Sequence, residues 1–174
     1  LADAAVFREM DAFGLLLIEQ PFHHEDIVDH AKLQAQIATP VCLDESIHSP
    51  EHARWALDIG ACKVINIKVG RVGGHSAARQ IHDLCQSYQV PVWCGGMLES
   101  GIGRAHNIHL STLPGFTKPG DTSSASRYFT RDIIEQKLET EGGRMPVPPG
   151  PGIGVTLDLD YLKTATLSVQ DFTA

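Results

Sequence analysis

Three short apolar runs, each closed by an ionisable residue, recur at nearly constant spacing and restrict this chain to few folds. They are Leu15-Leu16-Leu17-Ile18 before Glu19, Val41-Cys42-Leu43 before Asp44, and Val64-Ile65-Asn66-Ile67 before Lys68. Runs of this length, rich in Leu, Ile and Val, read as strands buried on both faces, the pattern of a parallel sheet covered by helices. A charge inside such a strand is costly to desolvate, so each ionisable residue belongs at its strand's end. Glu19 to Asp44 is 25 residues and Asp44 to Lys68 is 24, which fits one strand, one helix and two short loops per step. In barrels of repeated strand-helix units the C-terminal strand ends ring one mouth. Two carboxylates and an ammonium are therefore expected to converge.

The rest of the chain keeps the same rhythm. Residues 1–13 read as a helix already under way, with Ala5, Val6, Met10 and Phe13 apolar and Gly14 as its stop. A second helix is expected over 25–38, with Ile27, Ala31, Leu33 and Ile37 near one side and Glu25 and Asp26 at its positive end. Ser49-Pro50-Glu51 is an N-cap followed by proline at the first helical position, and that helix runs to Gly60. A strand over 63–68, a helix over 75–89 with Ala78, Ile81 and Leu84 or Cys85 inward, a strand over 90–94, a helix over 104–113 and a short strand near 115–118 follow. Strand then helix, repeated, predicts an α/β architecture with a parallel sheet. A flavodoxin-like open sheet is the rival, but it gathers ligands at one switch point, whereas here three successive strands end on functional-looking residues. From Arg131 the pattern changes. Ile133-Ile134 can still be read as helical, the four prolines between 146 and 154 require an extended wrap, and 155–167 is a final element expected to pack outside the barrel.

A composition of 43% hydrophobic and 20% charged residues is that of a globular domain, for which cytoplasm is the default expectation. A net charge of -7 and the lack of any Lys/Arg cluster argue against nucleic acid as a partner. No apolar run approaches the roughly 20 residues needed to cross a bilayer. Cys42, Cys62, Cys85 and Cys94 show no metal or redox spacing and read as small core residues. A closed barrel of this type needs about 250 residues, so the 174 present are expected to be the C-terminal part of a longer protein.

One acidic residue at a strand end is usually structural. Two carboxylates a single barrel step apart repel each other unless a cation lies between them, and hard oxygen ligands on rigid strands suit Mg²⁺. Lys68 alone reads as an ion-pair partner of Asp44 or Glu45; beside a dication and near a desolvated strand end it becomes a candidate general base.

At this point the residues match a family. Ile18-Glu19-Gln20-Pro21, Leu43-Asp44-Glu45-Ser46, the stretch from Asn66-Ile67-Lys68 through Arg71 to Gly74, and Trp93-Cys94-Gly95-Gly96-Met97-Leu98-Glu99-Ser100-Gly101-Ile102-Gly103-Arg104 resemble the enolase superfamily. Within it they look most like the o-succinylbenzoate synthase and N-acylamino acid racemase family of the muconate lactonizing enzyme subgroup. The resemblance implies the C-terminal part of a (β/α)7β TIM-like barrel, strands four to eight, with the capping domain absent from this chain. Residues 1–130 would be the partial barrel, and 131–174 a C-terminal wrap packing towards the capping domain. It implies Mg²⁺ (or Mn²⁺) held by Glu19 and Asp44, and Lys68 as the acid/base lysine. The first metal-ligand Asp and a second lysine have no counterpart here and are expected upstream of Leu1.

The activity so implied is o-succinylbenzoate synthase, a syn dehydration through an enediolate in the menaquinone pathway. The alternative is N-succinylamino acid racemase, in which two lysines exchange the α-proton. A third reading, of another class, is a non-catalytic half-barrel that needs a partner chain. The resemblance also places Gly95, Gly96 and Met97 near the succinyl or N-acyl arm of a small carboxylate substrate. Glu45 and Glu99 are candidates for orienting ligands or Lys68, with Asp121 a weaker site candidate. His106 and His109, three apart on a predicted helix, are a candidate metal pair, though such histidines more often serve packing or surface roles, and His23-His24, after Pro21 at a strand-end loop, is a remote candidate for touching substrate or metal. The open edge of strand 15–18 is expected to be covered by the missing N-terminal portion or by a second copy in a homo-oligomer.

Overall fold

The computed structural model describes residues 4–172; residues 1–3 of the expected first helix lie outside the described residues. Helix α1 (Ala4–Met10) ends through a tight turn at Gly14, whose φ of 60° suits a residue without a Cβ. Strand β1 (Ile18–Glu19), helix α2 (Ile27–Gln34), strand β2 (Val41–Leu43), helix α3 (Pro50–Asp58), strand β3 (Val64–Ile67), helix α4 (His75–Ser87), strand β4 (Val92–Cys94) and helix α5 (Gly101–Leu110) then alternate. The four strands form one parallel sheet in the order β1-β2-β3-β4. Each strand lies beside its predecessor and no reversal occurs within the sheet, which is barrel-type winding rather than the switch-point order of the flavodoxin-like rival. Among the described residues, no helix is long and apolar enough to cross a membrane.

Several boundaries differ from expectation, for local reasons. Strand β1 has two residues instead of four, and Leu16 is 55% exposed, because only β2 pairs with it. Glu19 lies within that pairing, opposite Cys42, and not beyond it. Helix α2 begins where the Asp26 carboxylate accepts the amide of Asp29 and stops four residues early. There the Gln34 side chain turns back to accept from the Val41 amide (2.7 Å) and to donate to the Ile37 and Thr39 carbonyls (both 3.3 Å), so 35–40 becomes a turn. Helix α3 starts as expected, with the Ser49 hydroxyl accepting from His52. Helix α5 starts at Gly101, earlier than 104, where a Cβ would collide with the Ile134 side chain and the amide is taken by Asp132 (2.9 Å). The strand expected near 115–118 is reduced to one parallel bridge between Phe116 and Val92.

Packing follows the pleat. Val41, Leu43, Ile65, Ile67, Val92 and Cys94 face the helices and join Leu33, Ile47, Ala78 and Ile81 in the main core. Cys42, Val64 and Trp93 face the other way and form a separate cluster, tied by the Trp93 indole donating to the Cys42 sulfur at 3.2 Å. All four cysteines are free and buried, in keeping with their spacing, and burial pushes the thiols of Cys42, Cys85 and Cys94 up to about 12, which keeps them unreactive at neutral pH. Beyond residue 130, Ile133-Ile134 is not helical. Ile134 instead pairs antiparallel with Leu157, and Ile134 and Leu138 bury themselves against Ala105 and Ile108 of α5. Helix α6 (Leu159–Ala165), capped by Asp158, follows the proline-rich stretch.

Ile65 is fully buried in the middle of the sheet, and its truncation to alanine is expected to cost about 2–5 kcal/mol in urea denaturation with an unchanged slope. Leu16→Ala, on the exposed lead-in to β1, is expected to stay within about 0.5 kcal/mol.

Candidate functional site

In a strand, side chains two apart share a face, and in this sheet the register places Glu19 beside Cys42, Cys42 beside Val64 and Asn66 beside Trp93. Asp44, two beyond Cys42, and Lys68, two beyond Asn66, therefore emerge on the same face as Glu19. The structure brings them together. Lys68 Nζ lies 2.7 Å from Asp44 Oδ2, and Asn66 Nδ2 donates to Glu19 Oε1 at 2.9 Å. The other oxygen of Asp44 accepts from Arg71, whose guanidinium also donates to the Ile47 carbonyl (2.8 Å) and the Asn66 carbonyl (2.6 Å). Asp44 is 4% exposed, and each of its oxygens accepts from one cation, which leaves a further lone pair on each oxygen. Deleting one member of such a buried pair leaves an uncompensated charge, at a cost of about 3–5 kcal/mol.

The loops leaving β1 and β2 are locked to each other by Gln20. Its side-chain oxygen accepts from the amides of Asp44 (2.9 Å) and Ser46 (3.3 Å), while its nitrogen donates to Ser46 Oγ (2.8 Å) and the Phe22 carbonyl (3.2 Å). These bonds hold Gln20 at a φ of 41°, a left-handed conformation uncommon for a residue with a side chain. His30 supports the same loop. Burial lowers its pKa, and the neutral ring accepts the Phe22 amide on Nε2 at 3.2 Å.

Glu19, Gln20, Phe22, His24, Asp44 and Glu45 line an open cleft of about 500 Å³. Although Glu19 reaches solvent, partial desolvation raises its pKa; the Asn66 hydrogen bond opposes this, and the charge of Asp44 adds to it. A carboxyl pushed up beside a second carboxylate is what a cation would relieve. The donor chemistry fits a hard dication. Glu19, Asp44 and Glu45 offer oxygens, and Asn66 Oδ1 is buried with no hydrogen-bond partner. The set is nevertheless incomplete, since among the described residues no three His, Cys, Asp or Glu side chains are grouped to hold an ion.

The loop after β4 makes room for this cluster. A Cβ on Gly95 would lie 2.5 Å from Asn66 Oδ1 and 2.6 Å from Lys68 Cε, so only glycine lets both side chains reach their carboxylates. The Gly96 amide donates to the Asp121 carboxylate, and Met97, 54% exposed, donates its amide to Glu99 Oε2 at 2.8 Å. Glu99 Oε1 accepts from Asn107 (2.9 Å), so this residue spans the loop and α5. A larger cavity of about 700 Å³ beside Asp121 and Arg127 contains none of the cleft carboxylates.

Gln20, Asn66 and Arg71 stand inside the sequence motifs, yet the sequence assigns none of them a role. Asn66 carries a readable signal, because a polar residue within a strand buried on both faces must find a partner. Gln20 and Arg71 carry none, since most of their partners lie on segments that only the fold brings near.

A family model described as enolase C-terminal domain-like matches residues 2–161. The chain is 57% identical to an o-succinylbenzoate synthase of Geobacillus stearothermophilus, over 99% of this chain and 46% of that protein. It is 53% identical to an N-succinylamino acid racemase of Thermus thermophilus, over 96% of this chain and 45% of that protein. A crystal structure of an enolase superfamily member from Listeria innocua superposes with a TM-score of 0.92 at 48% identity, covering 96% of this chain and 45% of that one. The chain thus spans less than half the length of these relatives.

A raised pKa means the folded chain holds the Glu19 proton more firmly than the unfolded chain, so ionising Glu19 costs stability as pH rises through its folded pKa. In EDTA, Glu19→Gln is expected to raise the urea midpoint at pH 7, and the gain should vanish below about pH 4, where both states hold the proton. An unchanged midpoint at pH 7 would contradict this.

Proposed function

The chain belongs to the enolase C-terminal domain-like family, and from that premise we propose that it is the part of a Mg²⁺-dependent o-succinylbenzoate synthase containing barrel strands four to eight. On this reading residues 1–130 are barrel, residues 131–174 run towards a capping domain, and the rest of the protein contributes one more carboxylate and a second lysine. The o-succinylbenzoate synthase at 57% identity supports it. The observation that carries it is the meeting of Lys68, Asp44 and Glu19 at neighbouring strand ends, with Lys68 Nζ 2.7 Å from Asp44.

The substrate class is a small carboxylate whose α-proton must leave. That proton is weakly acidic because its loss places a second negative charge on the group, and the site must supply positive charge and a base. Glu19 and Asp44 would hold Mg²⁺ (or Mn²⁺) with the further carboxylate, and Asn66 keeps Glu19 in place. When bound, the dication supplies Lewis-acid stabilisation of the growing charge. Lys68 exchanges its bond to Asp44 for the substrate, where its ammonium offsets charge and its amine form accepts or returns the α-proton. Gly95 leaves the space in which Lys68 can make that change. The Gly96-Met97 rim, steadied by Asp121 and Glu99, meets the arm of the substrate distant from the reacting carbon. Glu45, exposed in the same cleft, adds negative charge beside the ion. The unpaired side of β1, with exposed Leu16 and Phe13, supports burial against the N-terminal portion or a second copy.

A second reading, N-succinylamino acid racemase, is favoured by the Thermus thermophilus relative at 53% identity. It uses the same residues, with Lys68 serving one face of the α-carbon. Both readings are tested in the full-length protein by following the α-proton in D₂O by NMR. Lys68→Ala is expected to slow dehydration by about 10²-fold or more and to stop exchange from one enantiomer of an N-succinyl amino acid. Asp44→Asn is expected to abolish both while the protein stays folded. Equal exchange from both enantiomers in Lys68→Ala would remove Lys68 from the chemistry.

A further inference from the structure

Two imidazoles outside the carboxylate cleft meet across a helix pair. His75 opens α4 and His106 lies on α5, with Nε2 of the first 2.6 Å from Nδ1 of the second, ring centroids 4.7 Å apart and planes inclined at 45°. Among the described residues it is the only side-chain hydrogen bond joining these two helices. The spacing in the sequence pairs His106 with His109, but the fold gives His109 Nε2 to the Ile153 carbonyl at 3.2 Å and turns His106 to His75. His75 is exposed and His106 half-buried, so the pair is reached from solvent. Loss of hydration, and then the neighbouring His106 and His109, lower the pKa of His75. At neutral pH it is therefore an uncharged ring.

We propose that His75 and His106 form a binding site for a borderline transition-metal dication (Zn²⁺, Ni²⁺ or Cu²⁺) that links α4 to α5 in place of their hydrogen bond. Neutral imidazole nitrogen is a preferred ligand of these ions. With metal–nitrogen bonds of about 2.0–2.1 Å, two nitrogens on one ion stand about 3 Å apart, so the rings need to separate by well under 1 Å. The proton now shared between the rings moves through solvent to the far nitrogen of the ring that donated it, leaving both inner lone pairs for the metal. Water completes the coordination. Mg²⁺, which demands oxygen ligands, does not compete at the two imidazoles. Helix α4 follows the loop that carries Arg71, and α5 follows the Gly95-Gly96-Met97 loop. An ion between them ties together the supports of both.

The site is tested in the full-length protein, without a histidine tag and with Mg²⁺ in excess, by calorimetric titration with Ni²⁺. The wild type is expected to bind Ni²⁺ with an affinity that falls at least tenfold in His75→Gln and in His106→Gln. His48→Gln, a change in the separate cleft shared by His24, His48 and His52, is expected to leave that binding in place. Cu²⁺ bound to the wild type should show two imidazole nitrogens in its electron paramagnetic resonance spectrum, and one in either variant. Unchanged Ni²⁺ affinity and an unchanged Cu²⁺ spectrum in both variants would overturn the assignment. Far-ultraviolet circular dichroism of each metal-free variant separates lost binding from lost folding.

Discussion

Asp44 is the point at which fold and site depend on each other. Its carboxylate is buried between Lys68 and Arg71, and the same Arg71 reaches the carbonyls of Ile47 and Asn66, so one charge fixes the loops after β2 and β3 together. A buried carboxylate must be compensated, and two cations from one strand end and its loop meet that demand. The arrangement is also poised. Positive charge is concentrated beside Asp44, and negative charge is left over at Glu19, whose raised pKa marks the side of the cleft still short of a cation.

The remaining parts of the cleft are arranged around that carboxylate by small steric and hydrogen-bonding decisions. Gln20 accepts the left-handed conformation so that its amide can hold the Asp44 and Ser46 backbone. Gly95 gives up a side chain so that Asn66 and Lys68 can fit beneath the β4 loop. The order of the cleft therefore rests on Gln20, which contributes hydrogen bonds to the backbone, and on Gly95, which contributes the space of a missing side chain. Membership of the enolase C-terminal domain-like family agrees with this division between a regular sheet and specialised strand-end loops. An o-succinylbenzoate synthase and an N-succinylamino acid racemase are both more than 50% identical to this chain, so proteins of different names share this sequence pattern.

Much of the cleft is legible in the order of the amino acids. The aliphatic runs before Glu19, Asp44 and Lys68 mark strands at nearly equal intervals, and the cost of burying charge puts the three ionisable groups at the strand ends, because both are local properties of the chain; the face they share is set by the register between strands. Ser49-Pro50 marks the start of α3 for the same reason. Where a boundary depends on a distant partner, local pattern misleads. Leu15 to Leu17 look buried and suggest a four-residue β1, yet burial needs a neighbour on each side and β1 has one. The helical pattern overruns the end of α2 because nothing local announces that Gln34 will bond to Val41, and Ile133-Ile134 looks helical although its contacts lie with α5 and Leu157.

The sequence by itself determined the alternation of strands and helices, the core cysteines and the set of residues at the strand ends, since each follows from hydrophobic period, cap chemistry and the cost of burying charge. Only the tertiary structure decided that Lys68 takes Asp44 and not Glu45, that it shares Asp44 with Arg71, and that His106 answers to His75 instead of His109. Those pairings join residues from about 24 to 31 positions apart. Coulombic and hydrogen-bond energies depend on distances of a few ångströms, and no local pattern encodes such distances until the chain has closed on itself.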